Sequence, residues 1–220
     1  MERIRKNHNN IKRKLITNYV SENAVVLDMG CGRGGDLHKW KSAGAKVTMM
    51  DPNAEALRDA KDRQKNIGTK YFFRQGDITN APKKLYDIIC FNFSLQYIFC
   101  DYKYFIKCMN DIKIRLRKGG KLIGCIPDSE FILMNKKFSD EHGNFFERNA
   151  FGQVGDKVNV LLADTPYYSG NMIPEPIAYK DLLITWLENN GFNMIEWSPI
   201  MDERTYTISD MYSKFCFVKV

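Results

Sequence analysis

Asp28-Met29-Gly30-Cys31-Gly32-Arg33-Gly34-Gly35-Asp36 follows the apolar run Ala24-Val25-Val26-Leu27. That run continues through Met29 without polar alternation, the pattern of a strand buried on both faces of a parallel sheet. The glycines let the chain turn sharply and approach a ligand without Cβ clashes, and Asp36-Leu37-His38-Lys39-Trp40 then opens a helix. Strand, glycine loop and helix make a βα unit of the nucleotide-binding kind. From Gly30 the spacing also satisfies the G-x-G-x-x-G rule, so a nicotinamide dinucleotide fits the loop geometry. Asp28 and Asp36 flank the glycines with negative charge, which repels a pyrophosphate and favours a cationic ligand such as a sulfonium with an α-ammonium group.

Outward from this unit the same alternation recurs. Strands are expected over Lys46–Asp51, Lys70–Gln75, Tyr86–Asn92 and, after a Gly119-Gly120 turn, Lys121–Ile126, with helices over Glu55–Asn66 and Tyr102–Arg117 between them. A basic helix over about Asn9–Tyr19 precedes them, and a helix over Lys180–Asn190 followed by a strand pair, Phe192–Ser198 and Lys214–Val220, closes the chain. Alternation of this kind predicts an α/β fold with a right-handed, mostly parallel sheet and helices on both faces. Residues 127–178 break the pattern; only Lys157–Ala163 reads as a strand, and the segment is expected to be an insertion over the mouth of the sheet.

The chain has 220 residues, the size of one domain of this class, and residues 1–220 are read as a single domain with a basic helix over 1–20. Thirty-three Lys and Arg against 26 Asp and Glu give a net charge of +7, a bias toward anionic partners such as nucleic acid. Cys31, Cys90, Cys100, Cys108, Cys125 and Cys216 form no C-x-x-C pair and have no His-x-x-x-His companion, so they read as reduced core thiols rather than metal ligands. His8, His38 and His142 are scattered, and no metal is expected. No apolar run approaches the ~18 residues that cross a bilayer, so the reading is of a soluble, intracellular protein without a membrane partner.

The D-x-G-C-G-x-G-G-D run resembles the first motif of class I S-adenosylmethionine-dependent methyltransferases. That resemblance implies a Rossmann-like fold with a seven-stranded, mostly parallel sheet, an antiparallel C-terminal strand and an insertion after the fifth strand. Asp28, Gly30, Gly32 and Asp36 then belong to the cofactor loop, Asp51 at the end of the second strand accepts from the ribose hydroxyls, and Asp77 after the third reads the adenine amine.

Over nearly its whole length the chain further resembles the mRNA cap guanine-N7 methyltransferases. Arg5-Lys6-Asn7-His8-Asn9-Asn10-Ile11-Lys12 is similar to that family's N-terminal signature, with His8 at one of its Asn positions and Asn10 at its usual aromatic one. The resemblance places Lys12 near the cofactor carboxylate and Asn9 on the cap side. Gly34-Gly35-Asp36-Leu37-His38-Lys39-Trp40 follows the family's extended glycine motif, and Arg33, Lys39 and Arg63 match its triphosphate-contacting positions. Asn92-Phe93-Ser94-Leu95-Gln96-Tyr97 resembles the stretch that sets Asn92 and Ser94 beside the cofactor and Gln96 and Tyr97 against the guanine, with Gln96 where the family carries His. Ile173-Pro174-Glu175-Pro176 resembles the segment whose Glu accepts from the Watson–Crick edge of guanine, and Tyr212 matches a C-terminal cap contact.

What the resemblance implies is transfer of a methyl group from S-adenosylmethionine to N7 of the terminal guanine of a capped RNA, GpppN. Glu175 and Tyr97 would position the acceptor, and no general base would be needed, because N7 already presents a lone pair. Residues 127–178 would be the cap-binding insertion; Phe145, Phe146, Tyr167 and Tyr168 in it are read as core or lid rather than as site residues. A methyltransferase for another small-molecule or RNA acceptor, an inactive capping subunit, and a nicotinamide oxidoreductase stay open. So do further capping enzymes or an activating subunit as partners, and the compartment, nuclear for a cellular enzyme and cytoplasmic for a viral one.

Overall fold

A computed structural model describes residues 2–163 and 170–220. The chain begins with helix α1 (Glu2–Tyr19) and runs on through β1 (Val25–Met29), α2 (Leu37–Ser42), β2 (Lys46–Asp51), α3 (Ala54–Ile67), β3 (Phe72–Gln75), β4 (Tyr86–Asn92), α4 (Tyr102–Arg115) and β5 (Leu116–Pro127). After a short helix α5 (Ser129–Met134) come four short strands, β6 (Lys137–Ser139), β7 (Phe145–Arg148), β8 (Lys157–Leu161) and β9 (Ile173–Pro176), then α6 (Lys180–Asn189), β10 (Phe192–Pro199) and β11 (Tyr212–Lys219).

The main sheet has seven strands in the order β10-β11-β5-β4-β1-β2-β3. Strands β1 to β5 are mutually parallel, and β11 runs antiparallel to both of its neighbours, β5 and β10. Adjacent residues of the central strands point to opposite faces, as a period of two requires. Val26, Met49, Ile88, Cys90 and Ile123 pack with Leu15 and Ile16 of α1 and Trp40 of α2 on one face. Leu27, Met50, Ile89, Phe91 and Leu122 pack with Phe105, Met109 and Ile112 of α4 and Leu183 and Leu187 of α6 on the other. Both faces are covered, which is why these strands read as unbroken apolar runs.

Helix limits follow local chemistry. The Asn53 side chain accepts from the N–H groups of Glu55 and Ala56 to start α3, and Gly68 ends it in a left-handed conformation. Asp101 caps α4 in the same manner, accepting from Tyr104 N–H. Helix α1 starts seven residues earlier than its apolar stripe announced, and the expected Gly119-Gly120 turn is a register break inside a longer β5, between the pairs Tyr86–Leu116 and Ile88–Lys121. Cys90, Cys108, Cys125 and Cys216 are buried as expected; Cys100 is exposed.

The insertion departs most from expectation. Instead of one strand it holds a four-stranded antiparallel sheet, β6-β7-β8-β9. The strands are three to five residues long, too short for periodicity to show, and β9 carries two prolines. Those prolines are tolerated because β9 is an edge strand, where a missing N–H costs no ladder bond. Phe146 is fully buried in the core, in keeping with its reading; Tyr167 and Tyr168 lie outside the described residues.

Candidate active site

A cleft of about 620 Å³ opens at the C-terminal ends of the parallel strands, where ligands of open α/β sheets bind. The glycine loop forms its floor. Gly30 and Cys31 donate their N–H groups to Met50 O at 2.8 and 3.0 Å, stitching the loop to β2. Gly30 has φ +71°, and a side chain there would overlap Ser94 Cβ and come within 2.7 Å of Ser94 Oγ, so only glycine serves. Ser94 Oγ donates to Met29 O at 2.6 Å, which holds the segment after β4 against β1.

One end of the cleft is acidic. Asp51 accepts from Gly32 N–H and Asn53 N–H, both at 2.8 Å, and so faces the cleft in a fixed orientation with lone pairs to spare. Asp77 accepts from the Thr79 hydroxyl and N–H and from Tyr104 O–H, the last at 2.7 Å. Burial pushes the Asp77 carboxyl up, but these hydrogen bonds outweigh it and leave it below the ordinary value.

The other end is a charge cluster on Asp36. Lys12 of α1 reaches it at 2.8 Å, Lys39 of α2 at 2.7 Å, and Asn92 Nδ2 donates to it at 3.0 Å. Burial alone would raise the Asp36 carboxyl; the two ammonium groups overcome that and hold it well below the usual carboxylate range. The two lysines respond in opposite directions. Burial lowers both, yet Asp36 lifts Lys12 above its ordinary value, whereas Lys39 stays below because Lys12 repels it. Asn92 Oδ1 is buried without a hydrogen-bond partner among the described residues.

The mouth is built by the insertion and the segment after β4. Glu175, 6% exposed on β9, has Gln96 Nε2 donating to its Oε2 at 3.2 Å and Tyr97 O–H to its Oε1 at 3.4 Å. Gln96 Nε2 also donates to Phe93 O at 3.2 Å, and Gln96 Oε1 is left without a partner among the described residues. Tyr97 is 49% exposed and its hydroxyl is pushed up, first by burial and then by the Glu175 charge, so it stays a donor at neutral pH.

Of the residues singled out in the sequence, the structure brings Lys12, Gly30, Gly32, Asp36, Asp51, Asp77, Asn92, Ser94, Gln96, Tyr97, Glu175 and Tyr212 into this one cleft. Five do not line it. Asp28 points the other way from Leu27 and Met29 and accepts from Trp40 Nε1–H at 2.8 Å, tying β1 to α2 beneath the loop; burial, with the nearby Asp36 charge, raises it to about 7. Lys39 is buried, with its ammonium on Asp36 Oδ1, Asn9 Oδ1 at 2.9 Å and Gly35 O at 3.0 Å, so Lys39 and Asn9 clasp α1 to the loop. Arg33 pairs with Asp59 and Glu55 of α3, and Arg63 is exposed on that helix.

Sequence reasoning missed His8, Phe93 and Tyr104 as cleft residues. Phe93 adopts φ +62°, rare for a bulky residue, which swings its ring onto His8 and the edge of Tyr212 at centroid distances of 5.6 and 5.0 Å. No local signal announces that. His8 had one, since it lies four residues before Lys12 and therefore on the same face of α1.

A family model described as the mRNA (guanine-N(7))-methyltransferase domain matches residues 1–158. The chain belongs to that family. The mRNA cap guanine-N(7) methyltransferase of Cryptococcus neoformans is 30% identical over 216 residues, which are 87% of this chain and 30% of that protein. The Saccharomyces cerevisiae protein of the same name is 28% identical over 226 residues, 96% of this chain and 50% of that one. The chain thus spans half or less of the length of these guanine-N7 methyltransferase relatives. In fold it is similar to an S-adenosylmethionine-dependent methyltransferase from Clostridium acetobutylicum, with a TM-score of 0.67 at 14% identity, over 97% of this chain and 91% of that one. The fold is that of the class I methyltransferases.

Proposed function

We propose that this chain methylates N7 of the terminal guanine of a capped RNA, GpppN, using S-adenosylmethionine, and that residues 1–220 work as one methyltransferase domain. The observation that carries the reading is the placement of Glu175, brought by a separate small sheet into the cleft of the glycine loop and held there by Gln96 and Tyr97. An ionised carboxylate offers two acceptor oxygens, which suit the adjacent ring N–H and exocyclic amine of guanine and no edge of adenine equally.

The residues present fit the cofactor. At Gly30 the loop packs so closely on Ser94 that no Cβ fits, which fixes the floor of the cleft, and the unsatisfied Asn92 Oδ1 beside the Asp36 carboxylate calls for a cationic N–H donor such as an α-ammonium group. Lys12 would meet the carboxylate, Asp51 the ribose and Asp77 the adenine. S-adenosylmethionine supplies an electrophilic methyl group on a sulfonium. Guanine N7 carries its lone pair at neutral pH, so the chain removes no proton; its task is to hold N7 in line and to set negative charge near the purine as it turns cationic. Glu175 does both, and Tyr97 fixes Glu175.

The insertion, residues 127–178, is then the acceptor-binding part of the domain. A role in RNA processing inside the cell follows, with further capping activities supplied by other chains or domains. The deciding experiment is methyl transfer by the isolated chain to GpppRNA and ApppRNA. Transfer to the first and none to the second supports the reading; equal transfer, or none to either, removes it.

A further inference from the structure

A second concavity, of about 420 Å³, lies at the opposite end of the main sheet. Its walls are the starts of β2 and β3 and the approach to β4, whereas the cleft described above lies at the other ends of these strands. Lys41, Lys46, Lys70 and Lys84 surround it, and no carboxylate lines it. Lys46, Lys70 and Lys84 are exposed and form no ion pair among the described residues.

Amid these cations stands Phe72, 60% exposed on the edge strand β3. The hydroxyl of Thr69 in the same wall is enclosed and has no hydrogen-bond partner among the described residues. Ammonium groups free of ion pairs, that of Lys84 also lying 5.1 Å from the centroid of the Tyr86 ring, and one open aromatic face are the components of a single-strand nucleic-acid site, in which cations track the phosphates and a ring stacks on a base. An acidic protein segment would use the charges but leave the ring without a planar partner.

We propose that this basic concavity binds the RNA chain downstream of the cap, with phosphates on Lys46, Lys70 and Lys84 and a base stacked on Phe72. The inference rests on the reading of the acceptor as capped RNA. It gives the protein a second hold on its substrate, remote from the chemistry and indifferent to sequence. It also predicts that a bare cap dinucleotide, too short to span the sheet, binds more weakly than a capped oligonucleotide.

The test compares KM for GpppG and for a capped RNA of about twenty nucleotides, in the wild type, in the triple variant Lys46→Glu, Lys70→Glu, Lys84→Glu and in Phe72→Ala, all at exposed positions. For the long substrate KM is expected to rise at least about tenfold in the triple variant and roughly fivefold in Phe72→Ala, with KM for GpppG unchanged. The salt dependence of RNA binding by the triple variant should flatten by about two in log–log slope. Equal changes with both substrates, or none with the longer one, overturn the proposal. Fluorescence anisotropy with an uncapped RNA of the same length reads the surface without methyl transfer. A chain inactive on both substrates counts against the proposed function, and an RNA affinity unmoved by either variant counts against this site. Loss of poly-glutamate binding with RNA binding intact assigns the surface to an acidic protein and also overturns it.

Discussion

Lys12 and Asp36 lie 2.8 Å apart, and their pairing joins the first helix of the chain to the glycine loop. The same carboxylate also holds Lys39, so Asp36 keeps a cation if Lys12 is lost. Lys12→Met should therefore fold, with a melting temperature a few degrees lower, and bind S-adenosylhomocysteine about tenfold to a hundredfold more weakly, the worth of a charge-assisted hydrogen bond. Calorimetric titration with that ligand checks it; unchanged affinity would confine Lys12 to anchoring α1.

Burial, with Lys12 adding repulsion, lowers His8 to about 4. A histidine depressed in the folded state contributes stability that is complete above its unfolded value near 6.5 and is lost as pH falls toward 4. Asp28, raised to about 7, works in the opposite direction over the same range, because the folded state holds that proton longer. The two trends offset each other in the wild type, so the informative quantity is a difference. Stability of the wild type relative to His8→Asn should fall by on the order of 3 kcal/mol between pH 7 and 4. Urea unfolding at both pH values measures this, and a difference independent of pH would contradict it.

Gly30→Ala adds a methyl group that overlaps Ser94 Cβ at a backbone angle L-residues avoid. A loss of about 2 kcal/mol or more of stability and of most cofactor affinity is expected. Adding Ser94→Gly should restore part of the stability by removing the overlap, as thermal melts of the single and double variants would show.

Gln96 donates to Glu175 and does not titrate. The wild-type profile of kcat/KM should accordingly show no inflection between pH 6 and 8 from this position, whereas Gln96→His should acquire one near 6.5. An inflection in the wild type that survives in Gln96→Met would place the titrating group elsewhere.

Much of this was legible in the sequence, for identifiable reasons. Strands β1, β2 and β4 are buried on both faces and announce themselves as apolar runs, and the glycine loop must be glycine; Glu175 was singled out only through the resemblance of Ile173-Pro174-Glu175-Pro176 to a family segment, since the strand that carries it gave no signal. Tertiary pairing was not legible. Asp28 and Asp36 look alike beside the glycines, yet strand alternation turns one toward Trp40 and the loop turns the other into the cleft. Lys39 reads as a surface cation until α1 folds over it and Asn9 completes its shell. The ring of Phe93 enters the site through a backbone angle that no side chain advertises.

Glu175→Gln keeps the shape of the side chain and removes its charge. Methyl transfer to capped RNA should drop about a hundredfold or more, with S-adenosylhomocysteine affinity within about twofold of wild type. Parallel loss of both would make Glu175 a structural residue.

The most direct measurement is a crystal structure of the chain with S-adenosylhomocysteine and GpppG bound together. The adenosine is predicted to lie along Gly30 and Gly32 with its ribose on Asp51, and the guanine to present its ring N–H and amine to Glu175 with N7 turned toward the sulfur. A guanine bound away from Glu175, or a nucleoside lying off the glycine loop, would contradict the account.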